Sequence, residues 1–280
     1  VGSDMNVWRL VPIAAACCGG LANAAGQVPL WEAGIGVAAI TLPAYRGADK
    51  VHQFVLPLPY FIYRGDFFKA DRQGVRGQLF DSDRVDLTVS ASASPPTKSD
   101  DVAARADMPN LQPTLELGLQ TDITLWRGNG AIPFVKLRLP LREAFTITAP
   151  RRDVGAIFSP NLNADVNDAF GLPGWTLGVV TGPVFATKRQ NAYFYSVAPQ
   201  YATASRPAYD AKGGYGGMQL LLSLSKRFNN TWVGAYLRQD TLRGAVYADS
   251  PLVAQHSYTS AGFAVSWIFG RSDTLVEAQP

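Results

Sequence analysis

From Tyr258 to Phe269 the chain alternates without a break. Ala261, Phe263, Val265, Trp267 and Phe269 share one face; Ser260, Gly262, Ala264 and Ser266 share the other. Successive side chains of a β-strand point to opposite faces, so this pattern predicts a strand that is greasy on one side and small and weakly polar on the other. Strands of soluble proteins mostly run to about five or six residues. A tilted strand that crosses a bilayer needs about 9–11, and this stretch has that length. It is the last alternating segment and ends on an aromatic pair, so Trp267 and Phe269 are read as the assembly signal of a membrane barrel with its greasy face outward.

One such stave needs others. Hydrophobic residues make up 47% of the chain, yet the mean hydropathy is +0.01, so apolar and polar residues are interleaved. No apolar run of the roughly 18 residues that a helical span requires follows the N-terminus. Val1 to Asp4 precede Met5 and read as start-site residues. Met5 to Ala24 read as a cleavable signal peptide, with Arg9 ahead of the apolar Leu10 to Cys18 and with Ala22-Asn23-Ala24 before a cut between Ala24 and Ala25. A lipoprotein acylated at Cys17 is the weaker rival, because Ala14 stands where a lipobox prefers Leu. Cys17 and Cys18 are the only cysteines, so the mature chain has none and offers no disulfide or zinc framework.

The alternation predicts an all-β, antiparallel transmembrane β-barrel over 31–269. Residues 1–24 precede it as start-site residues and signal, 25–30 form a short N-terminal segment, and 270–280 a tail. Staves are expected from Trp31 to Ala39, Gln53 to Arg64, Phe67 to Phe80, Arg84 to Ser94, Thr114 to Trp126 and Val135 to Arg142. The second half adds Val154 to Asn163, Trp175 to Ala186, Tyr193 to Pro199, Gly214 to Phe228, Thr231 to Asp240 and the final strand. That makes about twelve, with ten as the alternative, and leaves no helical segment. Pro57 and Pro59 mark Gln53 to Arg64 as an edge or a distorted stave. Arg127 to Gly130 and Asn229-Asn230 read as tight turns.

Inside-out polarity gives each polar face a role. Glu32, Asp86, Glu116, Asp122, Lys136, Arg138, Arg142, Arg227 and Arg238 fall on faces that a barrel turns to its lumen. Both signs are interspersed on neighbouring staves, which suits cross-bracing; a charge-selective constriction is the other reading. His52 and His256 are the only histidines and are expected near one seam, but no Ser or Asp is spaced to make either a catalytic base. Asp81, Asp83 and Asp86 are too loosely spaced for calcium. The net charge of +3 without a Lys/Arg run argues against nucleic acid. With both ends of the barrel in the periplasm, counting staves puts the long loop Pro95 to Leu111 on that side. Its Lys98, Asp100, Asp101, Arg105 and Asp107 are then candidates for docking a partner.

Several stretches resemble one family. They are Val55 to Tyr60 with Tyr63-Arg64-Gly65, Ala70-Asp71-Arg72, Gly74 to Gly77, Leu79 to Asp83, Phe158 to Leu162, Ser205 to Tyr209, Asp249 to Val253 and Ser266 to Phe269. Together they are similar to the MltA-interacting protein (MipA/OmpV) family of Gram-negative outer membranes. The resemblance implies an outer-membrane barrel with no catalytic residue and no cofactor. Its surroundings would be outer-membrane lipid and the barrel assembly machinery. It also implies a scaffold for cell-wall enzymes, linking a lytic transglycosylase to a penicillin-binding protein. A narrow channel for small solutes and a surface adhesin or antigen are the alternatives.

Overall fold

In a computed structural model, the alternating segments run antiparallel with their apolar faces outward. The structure describes residues 27–64, 68–71, 74–82, 84–128 and 130–277. The expected signal cleavage at Ala24 and Ala25 lies outside these residues, as do Arg72 and Asp83 of the charged cluster Asp71 to Arg84. The strands are β1 (Gln27–Pro29), β2 (Trp31–Pro43), β3 (Val51–Arg64), β4 (Phe68–Asp71), β5 (Gly74–Asp81), β6 (Val85–Ser94), β7 (Thr114–Arg127) and β8 (Phe134–Thr146). Then follow β9 (Asp153–Phe158), β10 (Asn161–Asn167), β11 (Trp175–Ala186), the helix α1 (Lys188–Tyr195), β12 (Gly214–Phe228), β13 (Thr231–Thr241), β14 (Ser257–Arg271) and β15 (Leu275–Glu277).

The inversion is plain along β7. Leu117, Leu119 and Leu125 are exposed, while Glu116 and Asp122 are buried. Ile35, Val37, Leu141, Leu237, Phe263, Trp267 and Phe269 are likewise exposed. A soluble protein does not show so continuous an apolar surface, but a barrel in lipid must.

The sheet closes on itself. β14 pairs with β2 along its length, and Gly34 and Gly36 make that seam possible: a Cβ on either would collide with the carbonyl of Trp267 or Val265. On the far side, β9 and β10 both pair with β8 and with β11, so they are two halves of one stave interrupted at Ser159-Pro160. The thirteen strands of the closed sheet thus make twelve staves. An antiparallel barrel closes only with an even number, because each stave reverses the last.

The expected total is met by two differences that cancel. Phe67 to Phe80 is two short staves, β4 and β5. Tyr193 to Pro199 is no stave: its first residues finish α1, whose N-cap Thr187 accepts a hydrogen bond from the Gln190 N–H through its side chain. The alternation of Tyr193, Tyr195 and Val197 imitates a strand, but Tyr195 and Val197 are buried in a loop core rather than set in the wall. The link after β7 is also longer than a tight turn, since β8 begins only at Phe134.

Parity decides which loops share an end. The termini of the barrel lie with the links 82–84, 128–133, 168–174 and 229–230. The other end carries 44–50, 95–113, 147–152, 187–213 and 242–256. Short turns face the periplasm and long loops the exterior in barrels of this kind. Pro95 to Leu111 therefore sits at the end opposite the termini, and the expectation of a periplasmic loop is corrected. It is not structureless either. Thr97 bridges to Leu111 across two short 3-10 turns, and Val102 and Leu111 are buried. At the termini end, β1 pairs with β15, and Ser272 N–H donates to the Trp31 carbonyl, so the tail lies back against the N-terminal segment.

Candidate functional site

The long loops fold inward as a cap over the lumen. Its core joins Ala44, Tyr45, Val102, Leu111, Tyr195, Leu242, Tyr247 and Val253. Tyr195 stacks on Tyr247 with ring centroids 3.8 Å apart, and Tyr45 meets Tyr195 edge-on at 6.2 Å. Each phenol satisfies itself on backbone: Tyr45 donates to the Leu252 carbonyl at 2.7 Å, Tyr195 to Arg46 at 3.0 Å and Tyr247 to Gly216 at 2.9 Å. Burial pushes the Tyr45 phenol up to about 12, with the Arg105 charge pulling the other way. Burial likewise raises Tyr195 and Tyr247.

Two arginines tie the loops together. Arg105 is buried and donates to the Phe194 carbonyl at 3.0 Å, to the Pro109 carbonyl at 3.1 Å and to Ser99 Oγ at 3.2 Å. Burial lowers its pKa. Arg206 donates to the Ala106 carbonyl at 2.8 Å and to Tyr201. The family-like stretches Ser205 to Tyr209 and Asp249 to Val253 thus supply cap joints; Ser250 Oγ donates to the Tyr195 carbonyl at 2.7 Å and Leu252 is wholly buried. Among the loop candidates for docking, Arg105 points into the cap. Lys98, Asp100 and Asp107 lie on its outer side with Asp101, at the exterior end.

Below the cap, all nine lumen candidates turn inward and meet a charge of opposite sign. Arg142 lies 2.9 Å from Glu116, Arg138 3.8 Å from Asp122 and Lys136 3.5 Å from Asp86, all across β6, β7 and β8. Near the termini, Glu32 holds Arg227 at 2.7 Å and Arg64 at 3.0 Å. Near the cap, Asp240 holds Arg238 at 2.6 Å and Arg46 at 3.0 Å. Arg46, Arg64 and Asp240 complete these groups. Asp240 shares the period-two face of Arg238 and lies within the expected stave Thr231 to Asp240, so the same spacing could have found it; Arg46 sits in a loop, where no period marks it.

A cavity of about 340 Å³ lies between cap and barrel, lined by Tyr45, Arg46, Glu116, Arg142, Gln190 and Arg238. Three guanidinium groups and one carboxylate, that of Glu116, line it. Gln112 Oε1 and Gln190 Oε1 are buried without a donor among the described residues. Among the described residues no group of metal-binding side chains is present. His52 and His256 both lie toward this end, on the neighbouring strand seams expected for them. His256 Nε2 faces the Ala248 carbonyl at 3.2 Å, and neither ring is hydrogen-bonded to a Ser or carboxylate among the described residues.

The opposite wall of the lumen carries an apolar cluster. Tyr60, Ile62, Trp232, Ala264 and Ile268 pack together with Ala38 and Leu58 against them. Phe54 and Leu56 continue this lumen-facing row of β3 toward the cap.

A closed twelve-stave wall, greasy outside and braced inside, defines an outer-membrane β-barrel protein. The chain belongs to the MltA-interacting protein MipA family, whose model matches residues 35–269. It is similar to outer membrane protein OmpV of Vibrio cholerae serotype O1, with 25% identity over 85% of this chain and 86% of that one. Among solved structures it is similar to the COG4313 outer membrane channel from Pseudomonas putida F1 (12% identity, TM-score 0.41, 96% of this chain and 100% of that one). It is similar as well to outer membrane phospholipase A from Escherichia coli (12% identity, TM-score 0.34, 86% and 94%).

Proposed function

We propose that this barrel is a non-enzymatic docking platform for a lytic transglycosylase on the periplasmic side, with a penicillin-binding protein as the second client. The family match carries the reading, because the family is described by its interaction with MltA. The capped, cross-braced lumen supports it, since such a lumen does not favour an open solute channel. The periplasmic docking surface in this reading is the small sheet of β1 and β15 beside the short turns, tied to the wall where Arg64 of β3 donates to the Pro29 carbonyl. The test is crosslinking in native envelopes from positions in 272–277. A lytic transglycosylase in the crosslinked product is the expected result. Its absence, with steady conductance in planar bilayers, would move the reading to the narrow channel.

A further inference from the structure

The wall of the barrel has a notch beside β3. Among the described residues, β4 and β5 form a short hairpin: β4 pairs with β3 through Tyr63 with Ala70 and Arg64 with Lys69, and β5 pairs with β6 up to Thr88. Among the described residues, no strand pairs with the edge of β3 from Val51 to Ile62 on this side, nor with β6 from Val89 to Ser94. The hairpin thus covers the periplasmic part of the gap and leaves the part nearer the cap open.

An open sheet edge inside a bilayer is costly, because unpaired N–H groups find no water there. The sequence meets that cost at two positions. Arg64 N–H donates toward the β2 side, to the Leu30 carbonyl at 2.8 Å. The pairing of β2 with β3 runs unbroken from Trp31 to Pro43, so every odd-numbered residue of β3 turns its N–H toward the notch. Pro57 and Pro59 are odd-numbered, and proline has no N–H. They delete donors mid-strand on the unpaired edge and leave the β2–β3 ladder whole. On the β6 flank the residues are small: Ser90, Ala91, Ser92, Ala93 and Ser94.

Behind the notch the lumen is suited to hydrocarbon. Phe54, Leu56 and Leu58 face inward and are only half-buried, a row about 13 Å long at the usual rise per residue. Ser92, Ala93 and Ser94 of the other flank also line the cavity beneath the cap, as do Leu42 and Pro43 at the head of β2. We propose that this notch is a lateral portal through which a slender hydrocarbon-chain molecule, such as a fatty acid, passes from the bilayer to the cavity under the cap. The prolines disfavour the other occupant of an open edge, an added protein strand, because that strand would meet no donors at mid-edge. The proposal goes beyond the docking role and does not depend on it.

The only cysteines, Cys17 and Cys18, precede the first stave, so cysteine pairs placed in the barrel make the test direct. A Val55→Cys/Ala91→Cys pair spans the notch, and an Ala39→Cys/Val55→Cys pair spans the paired β2–β3 seam at a non-hydrogen-bonded position. A disulfide needs Cα atoms within about 7 Å. The seam pair is expected to oxidise and the notch pair to stay reduced, with heat-modifiable migration showing both folded. A bimane label at Leu56→Cys, in vesicles of bromine-tagged phospholipid, is expected to be quenched nearly as strongly as one at outward Val55→Cys. A label at lumen-facing Ser223→Cys, behind fully paired wall, is expected to be quenched far less. A polyene fatty acid is expected to bind the folded protein saturably, and Leu58→Asn to weaken it several-fold. A disulfide across the notch, quenching at Leu56 no stronger than at Ser223, or no saturable binding would each overturn the portal.

Discussion

The two sides of the lumen solve the same problem with opposite chemistry. The β6–β8 side fills the interior with ion pairs across the continuously paired β6–β7 and β7–β8 seams, and only the β5 edge of β6 from Val89 to Ser94, beside the notch, lacks a partner strand among the described residues. The side formed by β2, β3, β13 and β14 keeps the pairs Glu32–Arg64 and Arg238–Asp240 but fills most of its face with Tyr60, Ile62, Trp232 and Ile268, and among the described residues no strand pairs with the β4 edge of β3 from Val51 to Ile62. The contrast shows what each filling is suited to. Charged side chains on adjacent staves need fixed partners, and the ion pairs of this side sit where the seams are continuous. An apolar filling needs only contact, and tolerates a gap that lipid or a hydrocarbon ligand can line. The cap spans both halves and holds its loops together through arginines on backbone carbonyls.

The largest effect is expected on the apolar side. Trp232 is fully buried and central to its cluster. Trp232→Ala should cost about 3–5 kcal/mol, the usual range for truncating a large buried aromatic. The shift of the urea midpoint in the heat-modifiable gel assay measures it. A loss no larger than that of a surface substitution would mean that the apolar side is loosely filled, and would break the comparison.

The charged groups come next. Asp240 is fully buried between Arg46 and Arg238. Asp240→Asn keeps the shape and removes the charge that both guanidinium groups share. A hydrogen bond to a charged group is worth about 1.5–3 kcal/mol, and a loss of that size is expected. Because Arg46 belongs to the cap loop and Arg238 to the wall, proteolysis of the loop 44–50 should also quicken. Unchanged stability would show that the arginines find other partners.

The wall and its lumen faces were legible in the sequence because period-two alternation is a local signal. β7 and β14 declare both their faces in a dozen residues, and all nine charged candidates came from that pattern. The cap was not legible. Arg105 meets Phe194, Tyr45 meets Leu252 and Tyr195 meets Arg46, each across a long separation and within loops that carry no period. α1 was hidden because a short helix with Tyr at 193 and 195 alternates like a strand. That error and the undivided β4–β5 hairpin cancelled in the total but reversed the side assigned to every loop from 82 to 192. Pro57 and Pro59 did mark an edge; only the register of β3 tells which side of it they disarm.

The cap gives a pH test that neither wall of the lumen should share. The Tyr45 phenol is raised by burial to about 12, whereas a phenol in an unfolded chain titrates near 10. A raised pKa means stability fully present below about pH 10 and lost as pH climbs toward 12, because only the opened cap can ionise there. Tyr195 and Tyr247 shift in the same direction. Tyrosinate absorbance should therefore rise late and together with protease sensitivity of the loops 95–113 and 242–256, while barrel migration on the gel is retained. Tyrosine ionisation beginning near pH 10 with the loops still resistant would show the cap to be solvated.

The smallest effect is expected where charge occurs without burial. Lys188 and Asp210 form an ion pair at 2.6 Å on the outer surface of the cap, shorter than the Arg142–Glu116 pair in the lumen, yet both side chains are mostly exposed. Water competes for both groups and salt screens them, so such pairs contribute about 0–1 kcal/mol. A double-mutant cycle with Lys188→Met and Asp210→Asn should give a coupling at the low end of that range, falling further at high salt. The same cycle with Arg142→Met and Glu116→Gln should give a larger coupling that salt hardly changes, because that pair sits between staves with little access to ions. If the two cycles gave equal couplings, the difference between the sides of the lumen would rest on charge alone and not on its enclosure by the barrel.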